Sequence, residues 1–455
     1  QDLAERMGAM LERKIRATVV EEIRKHCAQP ITTNMTGSLG QMHWRQHFQV
    51  MDRAGASMYA DLSYYHYNFV RFDRLRAEKP VPYWLLETAP NWSGGGPVWN
   101  IHHDERGIRA FSWLSVLMGG SMVLYWQWRS HWAGQEMQHG TCVSQRGVRM
   151  PGWKTWQQLA AEFQELGPFL LSHPAPQGPV GILASEPNAW LFSIDPIHPD
   201  NRYDARIRDK YQYPLLQRHY WRDIVAPDAD FAPYQVLIVP QMAILPQETR
   251  ARLADWVAAG GRLLLGPLTG NRSEEMTLFT DSDYGGLEAL MGATQALRFS
   301  PHWVEQDIQV AFTDGTHCHP EIWCDAFAPE PGVEVLAHYR GGYGDGLPAV
   351  ISHRLGEGRV ITTGCPLNEE KLLSLFRTLA DEVGVKPLAT GGEGVVCCPR
   401  VNAEGEIVAL GVVNGRKDSR LIHLPRAGVD AFTGEALSGE IHLAPLQVRL
   451  VKFTE

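Results

Sequence analysis

The feature that most constrains the fold is an alternation of helix-forming and short apolar segments through the first 167 residues. Helical periodicity predicts helices over 3–27, 41–53, 69–78, 106–118 and 154–166. Buried strands are predicted between them, over 30–34, 56–60, 81–86 and 121–128. This alternation is typical of a parallel sheet built from βα units. The segment carries four such strands, whereas a closed βα barrel has eight.

Polar or ionisable residues follow directly on the predicted strands. They are Asn34, Asp61, Glu87 and Arg129. Because the carboxyl ends of parallel strands share one edge, we expect these side chains at a single rim. In βα barrels this rim holds the active site, so the pattern predicts a functional pocket there.

Two further units follow the first one. The proline-rich stretch over 173–179 marks a boundary. Beyond it, the pattern predicts strands over 180–184, 234–240, 262–266 and 358–364, helices over 247–259 and 369–383, and a hairpin turn over 341–346. We expect a doubly wound α/β domain, flavodoxin-like or amidotransferase-like, followed by a small all-β domain. The predicted domains cover residues 1–172, 178–387 and 388–455.

Tryptophan is concentrated in the first unit. Of the 15 Trp in the chain, ten lie between Trp44 and Trp156. The flat indole ring packs against apolar surfaces, and sugar rings present flat C–H faces to it. Tryptophan beside carboxylates therefore suggests carbohydrate binding, and an aromatic-rich core is the alternative interpretation.

The charge balance disfavours two classes of partner. There are 42 Lys and Arg against 51 Asp and Glu, which leaves a net charge of −9. We therefore expect neither nucleic acid nor membrane as a partner, since both require a basic face. We also expect no transmembrane helix and no signal peptide. The odd, sparse set of seven Cys indicates reduced thiols and a cytoplasmic location.

One short cluster contains residue types that bind zinc, namely His317, Cys318, His319 and Cys324. Its spacing matches no standard zinc-binding motif, so we expect an ordinary surface loop there. The chain also contains no glycine-rich nucleotide fingerprint. We therefore expect no metal and no cofactor.

Two groups of residues are candidates for chemistry. Glu87 ends a predicted strand, where an ionised carboxylate could attack an anomeric carbon or stabilise a cation. A strand-end salt bridge is the alternative. Glu136 and His139 are three residues apart, so on a helical turn they could hold adjacent sugar hydroxyls. Half of a di-metal site and an ordinary solvent-exposed pair are the alternatives for these two.

Three segments resemble glycoside hydrolase family 42 β-galactosidases: Pro30–Met35, Leu85-Leu86-Glu87, and Tyr125–Arg129 together with Glu136–Gly140. The resemblance covers essentially the whole chain. It implies the C-terminal half of a (β/α)8 TIM barrel, followed by the middle and C-terminal domains of that family. It further implies a β-galactoside substrate, a retaining mechanism and a homotrimer.

The resemblance also implies roles for individual residues. Glu87 would be the nucleophile, and Glu136 and His139 would bind galactose hydroxyls. Trp92 would contact the sugar, although it lies closer to the glutamate than in the family pattern. The side chains from Asp61 to Tyr65, Tyr64 among them, are expected to line the pocket.

One element of the family pattern is not found in this sequence. The family's acid/base glutamate follows an asparagine at the end of the fourth barrel strand. The one Asn-Glu pair here, Asn368-Glu369, is predicted to start a helix in the second domain, and Asp61, Asp104 and Glu105 do not match the motif. We therefore expect the acid/base, with the first half of the barrel, upstream of Gln1. The alternatives are a degenerate sugar-binding or assembly subunit, or an α-L-arabinopyranosidase on the same scaffold.

Overall fold

The computed structural model of the chain describes residues 10, 14, 16–35, 44–59, 66–93, 101–102, 104–301 and 307–454. The first unit contains the helices α1 (Glu21–Arg24), α2 (Trp44–Gln49), α3 (His66–Glu78), α4 (Glu105–Leu117) and α5 (Trp153–Ser172), with a π-turn over Arg16–Val20. Its strands are β1 (Gly55–Ser57), β2 (Tyr83–Thr88), β3 (Trp92–Ser93), β4 (Ile101–His102) and β5 (Gly120–Tyr125).

A parallel sheet in the order β1-β2-β5 organises this unit. The alternation of strands and helices is confirmed from α3 to α5. Asp104 begins α4 because its side chain accepts a 2.7 Å hydrogen bond from the backbone N–H of Gly107. The helix ends before Gly119, whose positive φ of 117° suits a residue without a Cβ.

The predicted strand over 30–34 is wrong in its extent. Residues 30–34 form no strand, and the residue that follows them, Met35, makes a single parallel bridge to Ala56 of β1. Pro30 has no N–H to donate to a ladder. The backbone N–H of Ile31 donates to the carboxylate of Asp52 at 2.6 Å and is therefore not available to a neighbouring strand. The hydroxyl of Thr32 donates to the carbonyl of Arg53 at 2.9 Å. Of the predicted helix over 3–27, residues 3–9, 11–13 and 15 lie outside the described residues.

The middle unit is built on a nine-stranded mixed sheet. Its strands are β6 (Val180–Leu183), β7 (Arg222–Val225), β8 (Val236–Val239), β9 (Arg262–Leu265), β11 (Gln309–Phe312), β12 (His317–Cys318), β14 (Glu334–Arg340), β15 (Pro348–Leu355) and β16 (Gly358–Thr363). A two-stranded sheet joins β10 (Ala293–Phe299) to β13 (Cys324–Pro329). The helices are α6 (Glu186–Ile194), α7 (Tyr203–Arg206), α8 (Tyr213–Gln217), α9 (Gln247–Ala258), α10 (Glu288–Met291) and α11 (Glu369–Glu382), with a π-turn over Ile207–Gln212.

The five parallel strands of this sheet run in the order β7-β6-β8-β9-β16. That is the order 2-1-3-4-5 of flavodoxin-like sheets, which agrees with the sequence-based expectation. The other four strands extend the sheet in antiparallel fashion and were not predicted. The expected hairpin turn over 341–346 is confirmed, since it joins β14 to β15.

The last unit consists of two small antiparallel sheets. Its strands are β17 (Thr390–Gly391), β18 (Val395–Val401), β19 (Ile407–Asn414), β20 (Arg420–His423), β21 (Gly428–Asp430), β22 (Ala436–Leu437), β23 (Glu440–Leu443) and β24 (Val448–Phe453). The larger sheet packs on the first unit, because Val413, Val448 and Leu450 share one buried cluster with Leu114 and Leu117 of α4.

Buried ion pairs connect the first unit to the middle sheet. The guanidinium of Arg76 on α3 lies 2.9 Å from Asp73 and 2.7 Å from Asp223 of β7. Arg222, also on β7, places its Nε 3.0 Å from Asp73. All four residues are buried, so each charge depends on its partners rather than on water. Within the described ranges, no helix has the length and apolar character needed to span a lipid bilayer.

Candidate active site

The carboxyl ends of the three parallel strands meet at one rim. The backbone N–H of Met58, just after β1, donates to the carbonyl of Glu87 at 2.8 Å. On the other side of β2, the N–H of Trp126, just after β5, donates to the carbonyl of Thr88 at 2.8 Å. Side chains that leave these strand ends on the same face are therefore close neighbours.

Glu87 is half-buried at this rim and receives two hydrogen bonds. The hydroxyl of Tyr59 donates to Glu87 Oε1 at 2.5 Å, and the amide of Asn34 donates to Oε2 at 3.3 Å. The Asn34 amide also reaches the hydroxyl of Ser57 at 3.0 Å. Both oxygens of the carboxylate are thus held in place by hydrogen bonds.

Tyr59 lies between the two candidate groups. Burial raises the pKa of its hydroxyl, and the hydrogen bond to Glu87 and the charges of Glu87 and Glu136 raise it further. Its ring also packs against the ring of His139, with centroids 5.5 Å apart and planes at 68°. The hydroxyl therefore stays protonated and remains a donor to Glu87.

Glu136 and His139 lie on a turn after β5 rather than on a regular helix. The N–H of His139 donates to the carbonyl of Glu136 at 3.0 Å, which keeps the two residues on one turn. The indole N–H of Trp126 donates to Glu136 Oε2 at 2.9 Å. His139 is only 8% exposed, whereas Glu136 is half-buried. The pair is thus held next to Tyr59 and presents one carboxylate and one imidazole.

Trp92 is tied to the same turn from the other side. Its indole N–H donates to the carbonyl of Gln138 at 2.9 Å, and its carbonyl accepts from the N–H of Gly140 at 3.0 Å. A Cβ at position 140 would lie 2.0 Å from Asn91 Oδ1, so only glycine fits there. The structure therefore brings Trp92 and the Glu136–His139 turn together at the rim that holds Glu87.

Three residues of this site were not predicted as site residues. The sequence marks Asn34 as a polar residue after a predicted strand and Trp126 as part of a predicted strand, and it assigns neither a role in the site. Tyr59 falls inside the predicted strand over 56–60, whereas β1 ends at Ser57, so the sequence points to positions 61–65 as the strand end instead. Positions 60–65, with Asp61 and Tyr64, lie outside the described residues.

Other candidate residues have structural contacts. Asp104 is the N-cap of α4, and Asn368 is the N-cap of α11, accepting from the N–H of Lys371 at 3.0 Å. Asn368-Glu369 therefore starts a helix, as predicted. The surface loop expected around His317 is wrong, because Cys318 and Cys324 are buried on two separate strands, β12 and β13. In the part of the chain with described coordinates, no group of three His, Cys, Asp or Glu side chains is placed to hold a metal ion.

We expect Tyr59→Phe to lower kcat/KM by on the order of 10- to 100-fold for a substrate that the wild-type protein turns over at Glu87, since a hydrogen bond to a charged group contributes about 1.5–3 kcal/mol. Tyr125→Phe is the matched control. Its hydroxyl lies 2.6 Å from the hydroxyl of Ser112 on α4. Steady-state kinetics of both variants would test this. Equal effects would mean that the Tyr59 hydroxyl has no specific role at Glu87.

A carboxylate with two donors, at the carboxyl rim of a parallel βα sheet and beside Trp and a Glu–His pair, is typical of TIM-barrel glycoside hydrolases. Two family models match the chain. A β-galactosidase model matches residues 9–166, and a β-galactosidase trimerisation domain model matches residues 179–386. Both describe glycoside hydrolase family 42, and the chain belongs to this family.

Named relatives agree with this assignment. The chain is 26% identical over 443 residues to the β-galactosidase YesZ of Bacillus licheniformis, covering 96% of this chain and 65% of the relative. It is 28% identical over 379 residues to the β-galactosidase BgaH of Haloferax lucentense, covering 81% and 54%. The chain therefore spans less than two thirds of the length of these relatives.

Solved structures share the fold. A β-galactosidase from Bacillus circulans sp. alkalophilus aligns with a TM-score of 0.87 at 21% identity, covering 97% of this chain and 67% of that one. Gan42B, a family 42 β-galactosidase from G. stearothermophilus, aligns with a TM-score of 0.85 at 20% identity, covering 99% and 67%. The architecture is therefore that of a TIM-barrel unit followed by a trimerisation domain.

Proposed function

We propose that this chain carries the nucleophile side of a retaining β-galactosidase site, which releases terminal non-reducing β-D-galactose. The observation that carries the proposal is Glu87, held at the rim by Tyr59 and Asn34. A half-buried carboxylate that two donors orient is suited to attack an anomeric carbon. The β-galactosidases among the relatives support galactose as the sugar.

The reaction would proceed in two displacements. First, Glu87 attacks the anomeric carbon of galactose, and the bond to the aglycone oxygen breaks as that oxygen takes a proton from a general acid. This leaves galactose covalently bound to Glu87. Water then attacks the same carbon, loses a proton to the general base and releases Glu87. Two inversions retain the β configuration.

Galactose recognition would involve the turn beside Tyr59. Glu136 accepts hydrogen bonds from sugar hydroxyls, and His139 accepts or donates according to its tautomer. The indole of Trp92 would pack against the sugar. An α-L-arabinopyranoside presents the same ring hydroxyls and lacks only the exocyclic group, so it is the competing substrate on this scaffold.

The acid/base glutamate would come from the half of the barrel that this parallel sheet lacks, whose strands would pair with the free edge of β5 at one end and with the Met35 segment beside β1 at the other. Among the described strands, β5 has β2 as its sheet neighbour, and Leu124 of β5 is 45% exposed. Beside β5 lies a groove of about 480 Å³, lined mostly by apolar side chains such as Val123, Phe163 and Leu170. An additional parallel strand would cover this groove and extend the sheet toward a barrel.

The trimerisation domain supports a homotrimeric assembly.

The proposal can be tested on the 455-residue chain itself with 2,4-dinitrophenyl 2-deoxy-2-fluoro-β-D-galactoside. Its leaving group departs without a general acid, and the fluorine slows the second displacement. We expect one fluorosugar bound covalently to the peptide that contains Glu87, detected by mass spectrometry after digestion. Labelling of another carboxylate would contradict the assignment of Glu87. Galactose binding by calorimetry without any labelling would instead favour a sugar-binding subunit that performs no chemistry.

A further inference from the structure

Several exposed apolar side chains lie on the segment that carries the proposed galactose-binding pair. Among the described residues, 15 large apolar side chains are exposed, and five of them fall between positions 124 and 137. Trp132 is the most exposed of all, at 88%. Single exposed apolar side chains are ordinary, but such a concentration marks a binding surface.

The backbone holds Trp132 near the rim. Ser130 fixes the start of the loop, because its N–H donates to the carbonyl of Val143 at 3.0 Å. Its hydroxyl lies 2.9 Å from that of Thr141, at the far end of the loop. The segment between these anchors starts with His131 and Trp132 and ends with the turn that contains Glu136 and His139.

A chain of contacts connects Trp132 to the sugar-binding pair. Trp126 donates its indole N–H to Glu136, and the ring of His131 meets the Trp126 ring edge-on, with centroids 6.1 Å apart. Trp132 follows His131 directly. A large, exposed indole therefore lies on the same loop as Glu136.

We propose that Trp132 is a stacking platform for the aglycone sugar of the substrate, and that it makes the site selective for β-galactosides whose aglycone is a pyranose. This inference rests on the proposed function. With the anomeric carbon at Glu87 and the galactose hydroxyls held by Glu136 and His139, the aglycone lies at the mouth of the pocket. The indole of Trp132, exposed on the loop that carries Glu136, offers the flat apolar surface on which the C–H face of a pyranose packs.

Calorimetry can separate the two subsites without turnover. The ligands are galactose and a galactosyl disaccharide with a sulfur linkage, which resists hydrolysis. We expect the wild-type chain to bind the disaccharide about 10-fold more tightly than galactose, which corresponds to about 1.4 kcal/mol. Trp132→Ala should remove this advantage and leave the affinity for galactose unchanged, and Trp132→Phe should keep most of it. Because Trp132 is so exposed, neither substitution disturbs the core.

Trp128→Ala is the matched control. Trp128 is 64% exposed on the same segment, but its ring packs toward Trp153, with centroids 5.8 Å apart. We expect this variant to keep the wild-type affinity ratio.

Three results would contradict the proposal that Trp132 is a stacking platform. They are an equal affinity of the wild-type chain for both ligands, an unchanged ratio in Trp132→Ala, and a change of oligomeric mass in Trp132→Ala, which would place Trp132 in a subunit contact. A wild-type chain that binds no galactose would contradict both the proposed function and the proposed role of Trp132. A chain that binds galactose and the disaccharide equally well would contradict only the role of Trp132.

Discussion

Glu87→Gln should reduce turnover of an aryl β-D-galactoside by at least about 10³-fold, because removal of a nucleophile leaves only binding and electrostatic contributions to catalysis. The amide has nearly the same shape as the carboxylate, and its oxygen can still accept the hydrogen bond from Asn34 while its NH2 group donates to the hydroxyl of Tyr59. The loss would therefore report chemistry rather than folding. The measurement is kcat/KM in a preparation whose wild-type protein turns over the substrate, with the thermal midpoint as a check of folding.

Two additions make this experiment more specific. Glu105→Gln is the matched control, since Glu105 is exposed in the first turn of α4, and its activity should be unchanged. In Glu87→Ala, azide can attack the anomeric carbon from the face that Glu87 vacates. The expected product is α-galactosyl azide, with turnover partly restored. Full activity of Glu87→Gln would rule out a covalent intermediate on this residue.

The second large effect concerns stability. Asp73→Asn should lower the free energy of unfolding by about 3–5 kcal/mol, because removal of one partner leaves buried charges uncompensated. Asp73 faces both Arg76 and Arg222 in the junction between α3 and β7. It also accepts a 2.6 Å hydrogen bond from the amide of Gln212. Urea unfolding followed by fluorescence would measure the shift of the midpoint.

Glu22→Gln is the control for this measurement. Glu22 pairs with Lys25 on the surface, where the side chains are 56% and 65% exposed, and we expect no measurable change. A loss of less than about 1 kcal/mol in Asp73→Asn would mean that the junction depends on apolar packing and not on these charges.

The sequence predicts the strand that carries Glu87 because four residues before it, Tyr83–Leu86, are apolar and the carboxylate follows directly. The strand itself continues one residue further, to Thr88. Tyr59 could not be assigned from the sequence, since it lies beyond the end of β1 at Ser57, where no periodicity applies. Its role follows from the packing of one strand end against the next.

The antiparallel strands of the middle sheet were missed for a different reason. The pairing of β14 with β15 shifts register between Val335 and Ala337, and again between Ala337 and His338. Each shift interrupts the two-residue alternation by which a strand is recognised in a sequence. The five parallel strands are short and mostly apolar. Four of them, all but β7, are predicted because a short apolar run is itself recognisable in a sequence.

The packing of the last unit on α4 has a consequence for the time course of synthesis. The guanidinium of Arg400 donates to the carbonyl of Val116, and the two residues are 284 positions apart. At about 5–20 residues per second, the ribosome needs roughly 15 to 60 s to synthesise the chain between Val116 and Arg400. During that interval the apolar face around Leu117 is exposed to the cytosol of an expression host. We expect chaperone demand and aggregation during expression to depend on how quickly the C-terminal strands emerge.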